Sequence, residues 1–255
     1  MQKNFLTALP VYNEADTVNA VLDQVLQYSP HVLVVDDGST DGTSELLAGR
    51  DDICIVRHDP NRGYGAALRT AFDYAKQHDY ETLVTIDCDG QHEPQRIPGF
   101  VAARKEAEAD IVSGSRYLKH FSGDSSPPPD RRRVNERITV EINDRLDLTL
   151  TDAFCGFKAY RVEALEQLQL TETGYAMQLE IWVQAACPGL RIIEIAVPLI
   201  YLDESRSFGG ALDDAVTRLE HYRDVLDKSI AAAKDLGPTG QGRVRGRGGC
   251  GSAAG

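Results

Sequence analysis

Short apolar runs recur through the first half of the chain. Phe5 to Leu9, Val32 to Val35, Ile53 to Val56, Leu83 to Ile86 and Ile111 to Ser113 are each bounded by polar turn residues. Runs of this kind mark strands buried on both faces, as in a parallel sheet. Between them the period changes. Val18, Val21, Leu22, Val25 and Leu26 repeat at three and four residues, as do Leu68, Ala71, Phe72 and Ala75, so each set lines one helical face. Strand and helix thus alternate to about residue 115, which predicts an α/β fold with a Rossmann-like, mostly parallel sheet flanked by helices. Ligands of such sheets collect outside the carboxyl ends of the strands.

The order loosens beyond Tyr117. Ser122 to Pro129 is a Gly/Ser/Pro loop, Arg131 to Leu148 predicts a helix, Ile192 to Val197 a late strand, and Ala211 to Leu236 a long helix. Gly237 to Gly255 is rich in glycine, arginine and alanine with almost no apolar side chains, and predicts a disordered tail. The 255 residues, 42% of them hydrophobic, suit one domain over residues 1–236.

A formal charge of −12 repels nucleic acid, so a general nucleic-acid partner is excluded. The five cysteines, Cys54, Cys88, Cys155, Cys187 and Cys250, are odd in number and lack CxxC spacing, which argues against a disulfide framework or structural zinc and fits a reducing cytoplasm. The apolar run at Phe5 is too short for a signal peptide, and no stretch reaches membrane-spanning length. A cytoplasmic protein, soluble or attached peripherally at the inner membrane face, is expected.

Chemistry concentrates at the predicted strand ends. Val34 to Thr43 carries Asp36 and Asp37 at the end of a buried strand; adjacent acids there repel each other and lose hydration unless donors or cations meet them, and a ligand would supply such partners. Asp41 or Thr43 caps the helix that follows. In Ile86-Asp87-Cys88-Asp89-Gly90-Gln91-His92, alternation sends Asp87 and Asp89 to one side, a geometry suited to one divalent cation. Oxygen ligands select Mg²⁺ or Mn²⁺, with Gln91 or His92 to complete the shell. Pro10, Tyr12, Asn13 and Glu14 follow the first strand and belong to the same rim, Asn13 also serving as a cap for the next helix. Asn61 to Ala67, with Gly63 and Gly65, is either an anion seat before a helix or a tight strand-to-helix turn.

Pro10 to Glu14, Val35 to Thr43, Gly63-Tyr64-Gly65, Asp87 to His92 and Gly114-Ser115-Arg116 occur in the order seen in family 2 glycosyltransferases. Within that family the chain most resembles dolichol-phosphate mannosyltransferases and related polyprenyl-phosphate enzymes, a match that Asp152 and Gly156 to Arg161 extend to about residue 210. The resemblance implies the GT-A fold, with a nucleotide-binding half over residues 1–115 and an acceptor half over 116–236. It implies a GDP- or UDP-sugar donor, mannose or glucose as the sugar, and a polyprenyl phosphate acceptor. It places Asp36 and first-strand residues on the nucleoside, Asp87, Asp89 and Gln91 on the metal, and Arg116 on phosphate, which suits a guanidinium fork. In the run Arg131-Arg132-Arg133, Arg133 is assigned to the acceptor phosphate, and Arg206 resembles a second such position. Relatives show an arginine four residues before a serine on that helix, whereas counting back from Asn143 gives Thr139 and Asn135.

The expected reaction is direct displacement at the anomeric carbon, with metal and Arg116 stabilising the departing diphosphate. A phosphate acceptor needs no strong base; a neutral hydroxyl acceptor would, and the family resemblance then implies that role for Asp152. Three other readings stay open at this point: a family 2 enzyme acting on a soluble or polysaccharide hydroxyl, a sugar nucleotidyltransferase, and a nucleotide-sugar sensor or a binding module using the arginines of the tail.

Overall fold

A computed structural model describes residues 3–202 and 210–235. The apolar runs form β1 (Lys3–Val11), β2 (Val32–Asp36), β3 (Cys54–Arg57), β4 (Tyr80–Thr85) and β5 (Ile111–Ser115), and the helical spacings between them form α1 (Val18–Val25), α2 (Thr43–Ala48), α3 (Tyr64–Gln77) and α4 (Ile97–Glu106). The second half adds α5 (Pro129–Leu146), β6 (Lys158–Arg161), α6 (Val162–Leu165), α7 (Met177–Ala186), β7 (Ile192–Ala196) and α8 (Ala215–Asp235). The described strands make one sheet in the order β3-β2-β1-β4-β6-β5-β7. All neighbours are parallel except β6, which runs antiparallel to both β4 and β5.

Because strand side chains alternate between faces, the sheet feeds two cores. Leu6, Ala8, Leu33, Val35, Leu83 and Ile111 pack on one side with residues of α3, α5, α7 and α8. Leu9, Val11, Val32, Val34, Val84 and Val112 pack on the other with α1 and α4. Each Leu or Val side chain so enclosed contributes about 1.5–3 kcal/mol of burial. Helix α7 is buried on nearly every side, from Met177 to Val183, and the fully buried Trp182 donates its indole N–H to Ala153 O at 2.9 Å. That helix and α8 line the cavity described below, through Gln178 and through Arg218, His221 and Tyr222.

Two strands differ from the sequence expectation. β3 was expected to be buried, yet Cys54, Ile55 and Arg57 are exposed because β3 is a sheet edge with one neighbour. β6 was not expected as a strand. Its first residue, Lys158, is a charged side chain with no solvent exposure, so the hydrophobic pattern is interrupted where the chain is most deeply buried. The tail beyond residue 236, expected to be disordered, lies outside the described residues.

Candidate active site

The loops that leave β1 and β2 are tied to one another before any ligand is considered. Asn13 takes a left-handed conformation (φ 56°), donates its backbone N–H to Ser39 Oγ at 3.0 Å and accepts from Thr40 N at 2.8 Å. Glu14 N donates to Thr43 Oγ1 and Ala15 N to Asp41 Oδ2, at 2.9 and 3.1 Å. Asn13 is therefore a staple between two loops and not a helix cap; α1 begins only at Val18. Asp41 does meet the start of α2, accepting from Thr43 N at 3.0 Å.

Asp36 and Asp37, both buried, find the donors that the sequence reading assigned to a ligand within the protein itself. Asp36 accepts from Ser39 N at 2.9 Å and Ser44 Oγ at 2.5 Å, with Arg57 Nε 3.6 Å away. Asp37 accepts from Arg62 N and Gly63 N at 2.9 and 2.7 Å and lies 2.6 Å from His58 Nδ1. Gly65 N and Ala66 N donate to Thr173 O at 2.7 and 3.2 Å. These amides at the start of α3 are thus already used, and the segment from Asn61 to Ala67 is a packed turn and not a vacant anion seat. Gly63 (φ 100°) and Gly65 are required by the packing: a Cβ on Gly63 would collide with Thr173 O, and one on Gly65 would come within 2.8 Å of Glu172 O.

A cavity of about 680 Å³ opens at the carboxyl ends of β1, β2, β4 and β5. Pro10, Tyr12, Glu14, Asp37, Asp87, Asp89, Gln91 and Arg116 all line it, so these predicted residues from separate segments meet in one place. Asp36, Gly65, Arg133 and Asp152 do not line it, and Arg206 lies outside the described residues. The loop after β4 carries Asp87 and Asp89, separated by the buried Cys88, and turns at Gly90 (φ 73°). Asp87 Oδ1 accepts from Tyr64 Oη at 2.9 Å, and His92 Nε2 lies 3.5 Å from Asp87 Oδ2. Burial works against charge on Asp87, but His92 and Tyr64 outweigh it and hold the carboxyl below its ordinary range. Burial, together with the Asp87 charge, raises the Tyr64 phenol well above its usual value, so it stays protonated and donates.

Arg116 follows β5 and grips Asp152 through two parallel bonds, Nε to Oδ2 at 2.7 Å and Nη2 to Oδ1 at 2.9 Å, while its own backbone N–H donates to Oδ2 at 3.2 Å. Asp152 also accepts from Asn135 Nδ2 at 2.8 Å and Phe154 N at 3.2 Å. Burial alone would raise the Asp152 carboxyl, but Arg116 overcomes it and the value is lowered; burial likewise opposes the Arg116 charge, and Asp152 restores it. Asp152 is fully enclosed with both oxygens engaged, which fits an anchor for Arg116.

Helix α5 sends Val134, Asn135, Ile138, Thr139 and Ile142 inward. Arg131, four residues before Asn135, shares that face, lines the cavity and donates to Tyr201 Oη at 3.2 Å. Arg133 is exposed on the outer side, so the cavity-facing arginine of this run is Arg131 and not Arg133. Asn135, Thr139 and Asn143, at four-residue intervals, bind the segment from Leu150 to Ala153 and thereby hold Asp152. From α8 come Arg218, His221 and Tyr222, which the sequence reading did not single out. Arg218 is 2% exposed and donates to Leu212 O at 2.7 Å and Asp130 Oδ2 at 3.0 Å. The spacing of Arg218, His221 and Tyr222 at three and four residues was the available signal.

A mostly parallel sheet whose strand ends bring a paired-acid loop and an arginine to one cavity defines the GT-A class of glycosyltransferases. Residues 7–169 match the model of glycosyl transferase family 2, and the chain belongs to that family. It is accordingly a glycosyl-transferring enzyme. Undecaprenyl-phosphate mannosyltransferase of Micrococcus luteus is 31% identical over 228 residues, 85% of this chain and 93% of its own length. Polyprenol monophosphomannose synthase of Mycolicibacterium smegmatis is 31% identical over 240 residues, 88% and 89% of the two chains. Among solved structures, glucosyl-3-phosphoglycerate synthase of Mycobacterium tuberculosis with UDP matches at TM-score 0.68 and 19% identity, over 90% of this chain and 80% of that one. Further structures of that synthase contain UDP with Mn²⁺ or Mg²⁺. At such identity the likeness is one of fold.

Proposed function

We propose that the enzyme transfers a hexose, mannose or glucose, from GDP- or UDP-hexose to a polyprenyl phosphate, assisted by Mg²⁺ or Mn²⁺. The observation that carries this reading is that one cavity is lined both by the oxygen donors Asp87, Asp89 and Gln91 and by Arg116, Arg131 and Arg218 together with Tyr117, Phe154, Tyr175, Tyr201 and Tyr222. The oxygen donors Asp87, Asp89 and Gln91 fit a hard divalent cation. Among the described residues no cluster of three or more His, Cys, Asp or Glu side chains could hold a metal alone, so the remaining ligands would be diphosphate and water, as Mg²⁺ and Mn²⁺ favour. When bound, the ion would neutralise charge growing on the leaving diphosphate.

The chain's own residues supply the rest. Arg116, fixed by Asp152, presents its remaining guanidinium surface to phosphate oxygens, and Arg131 adds a second cation. An acceptor phosphate arrives as an anion, so attack needs no proton removal. The buried, doubly engaged Asp152 supports a positioning role over that of a base for a hydroxyl acceptor. Aromatic side chains beside the arginines suit the first isoprene units, while the rest of the lipid extends to a membrane that the enzyme meets peripherally. No helix among the described residues is long and apolar enough to cross a membrane. Names of the two mannosyl-transferring relatives support the acceptor class.

A thermal-shift screen tests the donor half. With Mn²⁺ present, either the GDP- or the UDP-sugar series should raise the melting temperature, because ligand binding stabilises the folded state. No shift with any nucleotide sugar would overturn the reading.

A further inference from the structure

The Gly63-Tyr64-Gly65 motif is not absorbed by phosphate binding, since its amides are donated to Asp37 and Thr173. Its two glycines instead let the start of α3 press against the backbone of Glu172 to Gly174. That contact fixes the residue between them. The Tyr64 ring is stacked on Tyr175, with centroids 5.1 Å apart and planes at 22°, and its hydroxyl reaches Asp87 Oδ1 at 2.9 Å. Gly156 also packs against the Asp87 carboxylate, where a Cβ would collide with both oxygens, and Gly156 O is itself held by Thr85 Oγ1 at 2.8 Å. The Asp87 carboxylate is therefore held by a tyrosine hydroxyl and packed against backbone, with His92 Nε2 at 3.5 Å.

We infer that Tyr64 is a positioning residue that sets divalent-cation affinity by orienting Asp87, and that the paired glycines exist to deliver its hydroxyl there. The inference rests on the metal reading above. Partners that hydrogen-bond a metal's ligands orient them and tune the ion's affinity without touching it. Tyr64 and its stacking partner Tyr175 both line the cavity.

The test is direct binding of Mn²⁺ in the presence of GDP or UDP, followed by the electron-spin-resonance signal of the free ion, on the full chain. Tyr64→Phe keeps the ring and its stack and removes only the hydroxyl. Its Mn²⁺ dissociation constant should rise about 10- to 100-fold and kcat should recover at saturating Mn²⁺, beside the fall in metal-free melting temperature that loss of one hydrogen bond to a carboxylate brings. A merely structural role would lower the melting temperature alike but leave the metal constant alone. Tyr175→Ala, at an exposed position, gives a second reading: loss of the stack should produce a smaller rise in the same constant. Equal Mn²⁺ affinity in the wild type and both variants would overturn the role of Tyr64. Absence of Mn²⁺ binding by the wild type with either nucleotide would overturn the metal reading and this inference with it.

Discussion

Substitution of Asp152 by Asn separates two roles that one residue could play. The carboxylate is fully buried and takes two parallel bonds from Arg116, whose side chain is 20% exposed, plus bonds from Asn135, Phe154 N and Arg116 N. Asn keeps the shape but removes the charge and turns an N–H₂ toward a guanidinium that can only donate. Removing one partner of a buried ion pair costs about 3–5 kcal/mol, because the other charge is left uncompensated. At roughly 2–4 °C per kcal/mol for a protein near this size, the melting temperature should fall by roughly 6–20 °C. Calorimetry at neutral pH measures this directly. The pH dependence follows in sign. Since Arg116 holds the folded carboxyl below its ordinary 3.8, the contribution is complete above that value and is lost as pH falls through the lower folded one. The difference between wild type and variant should therefore shrink only in strong acid. A variant that melts with the wild type while losing all activity would refute the anchor and return Asp152 to the role of a base.

Chelation with EDTA should abolish transfer, and Mg²⁺ or Mn²⁺ should restore it to the wild type but not to Asp89→Ala, as followed by nucleotide diphosphate release. Arg131→Ala should raise the KM for polyprenyl phosphate by about ten- to a hundredfold, the worth of a charge-assisted bond of about 1.5–3 kcal/mol, while the donor KM stays fixed; Arg133→Ala, on the outer face of α5, should leave both constants unchanged in the same steady-state assay. Gly65→Ala should destabilise the fold by about 1–3 kcal/mol through overpacking against Glu172 and Gly174, seen as a lower denaturant midpoint.

The parallel half of the sheet was legible because its strands are buried on both faces and its helices carry one clean apolar stripe each. Leu68, Ala71, Phe72 and Ala75 were read as one face of α3 and are all buried. The convergence of Asp37, Asp87, Asp89 and Arg116 was legible too, because a parallel sheet sends every strand's carboxyl end to one side. What escaped depended on contacts between distant segments. β6 carries a buried Lys158 that bonds Gln178 Oε1 at 2.8 Å, a partner twenty residues away. The partners of Asp36 and Asp37 come from loops up to 26 residues off, so two acids that looked in need of a ligand are satisfied without one. On α5 the choice between Arg131 and Arg133 turned on helical phase, which a basic run does not reveal without its buried neighbours. The cavity-lining arginine of α8 was hidden for a related reason: Arg218 sits on a buried face, where a charged residue reads as an interruption.

The proposed reaction uses one cavity for both substrates, Asp87 and Asp89 for the nucleotide-linked sugar and the arginines for an acceptor already carrying phosphate. Its most direct test supplies the purified enzyme with Mn²⁺ and radiolabelled GDP-mannose or UDP-glucose, and offers polyprenyl phosphate beside the same polyprenol without phosphate. Label should pass into the organic phase with the phosphate alone. Equal labelling of the free alcohol, or labelling of neither while the donor is shown to bind, would contradict the account.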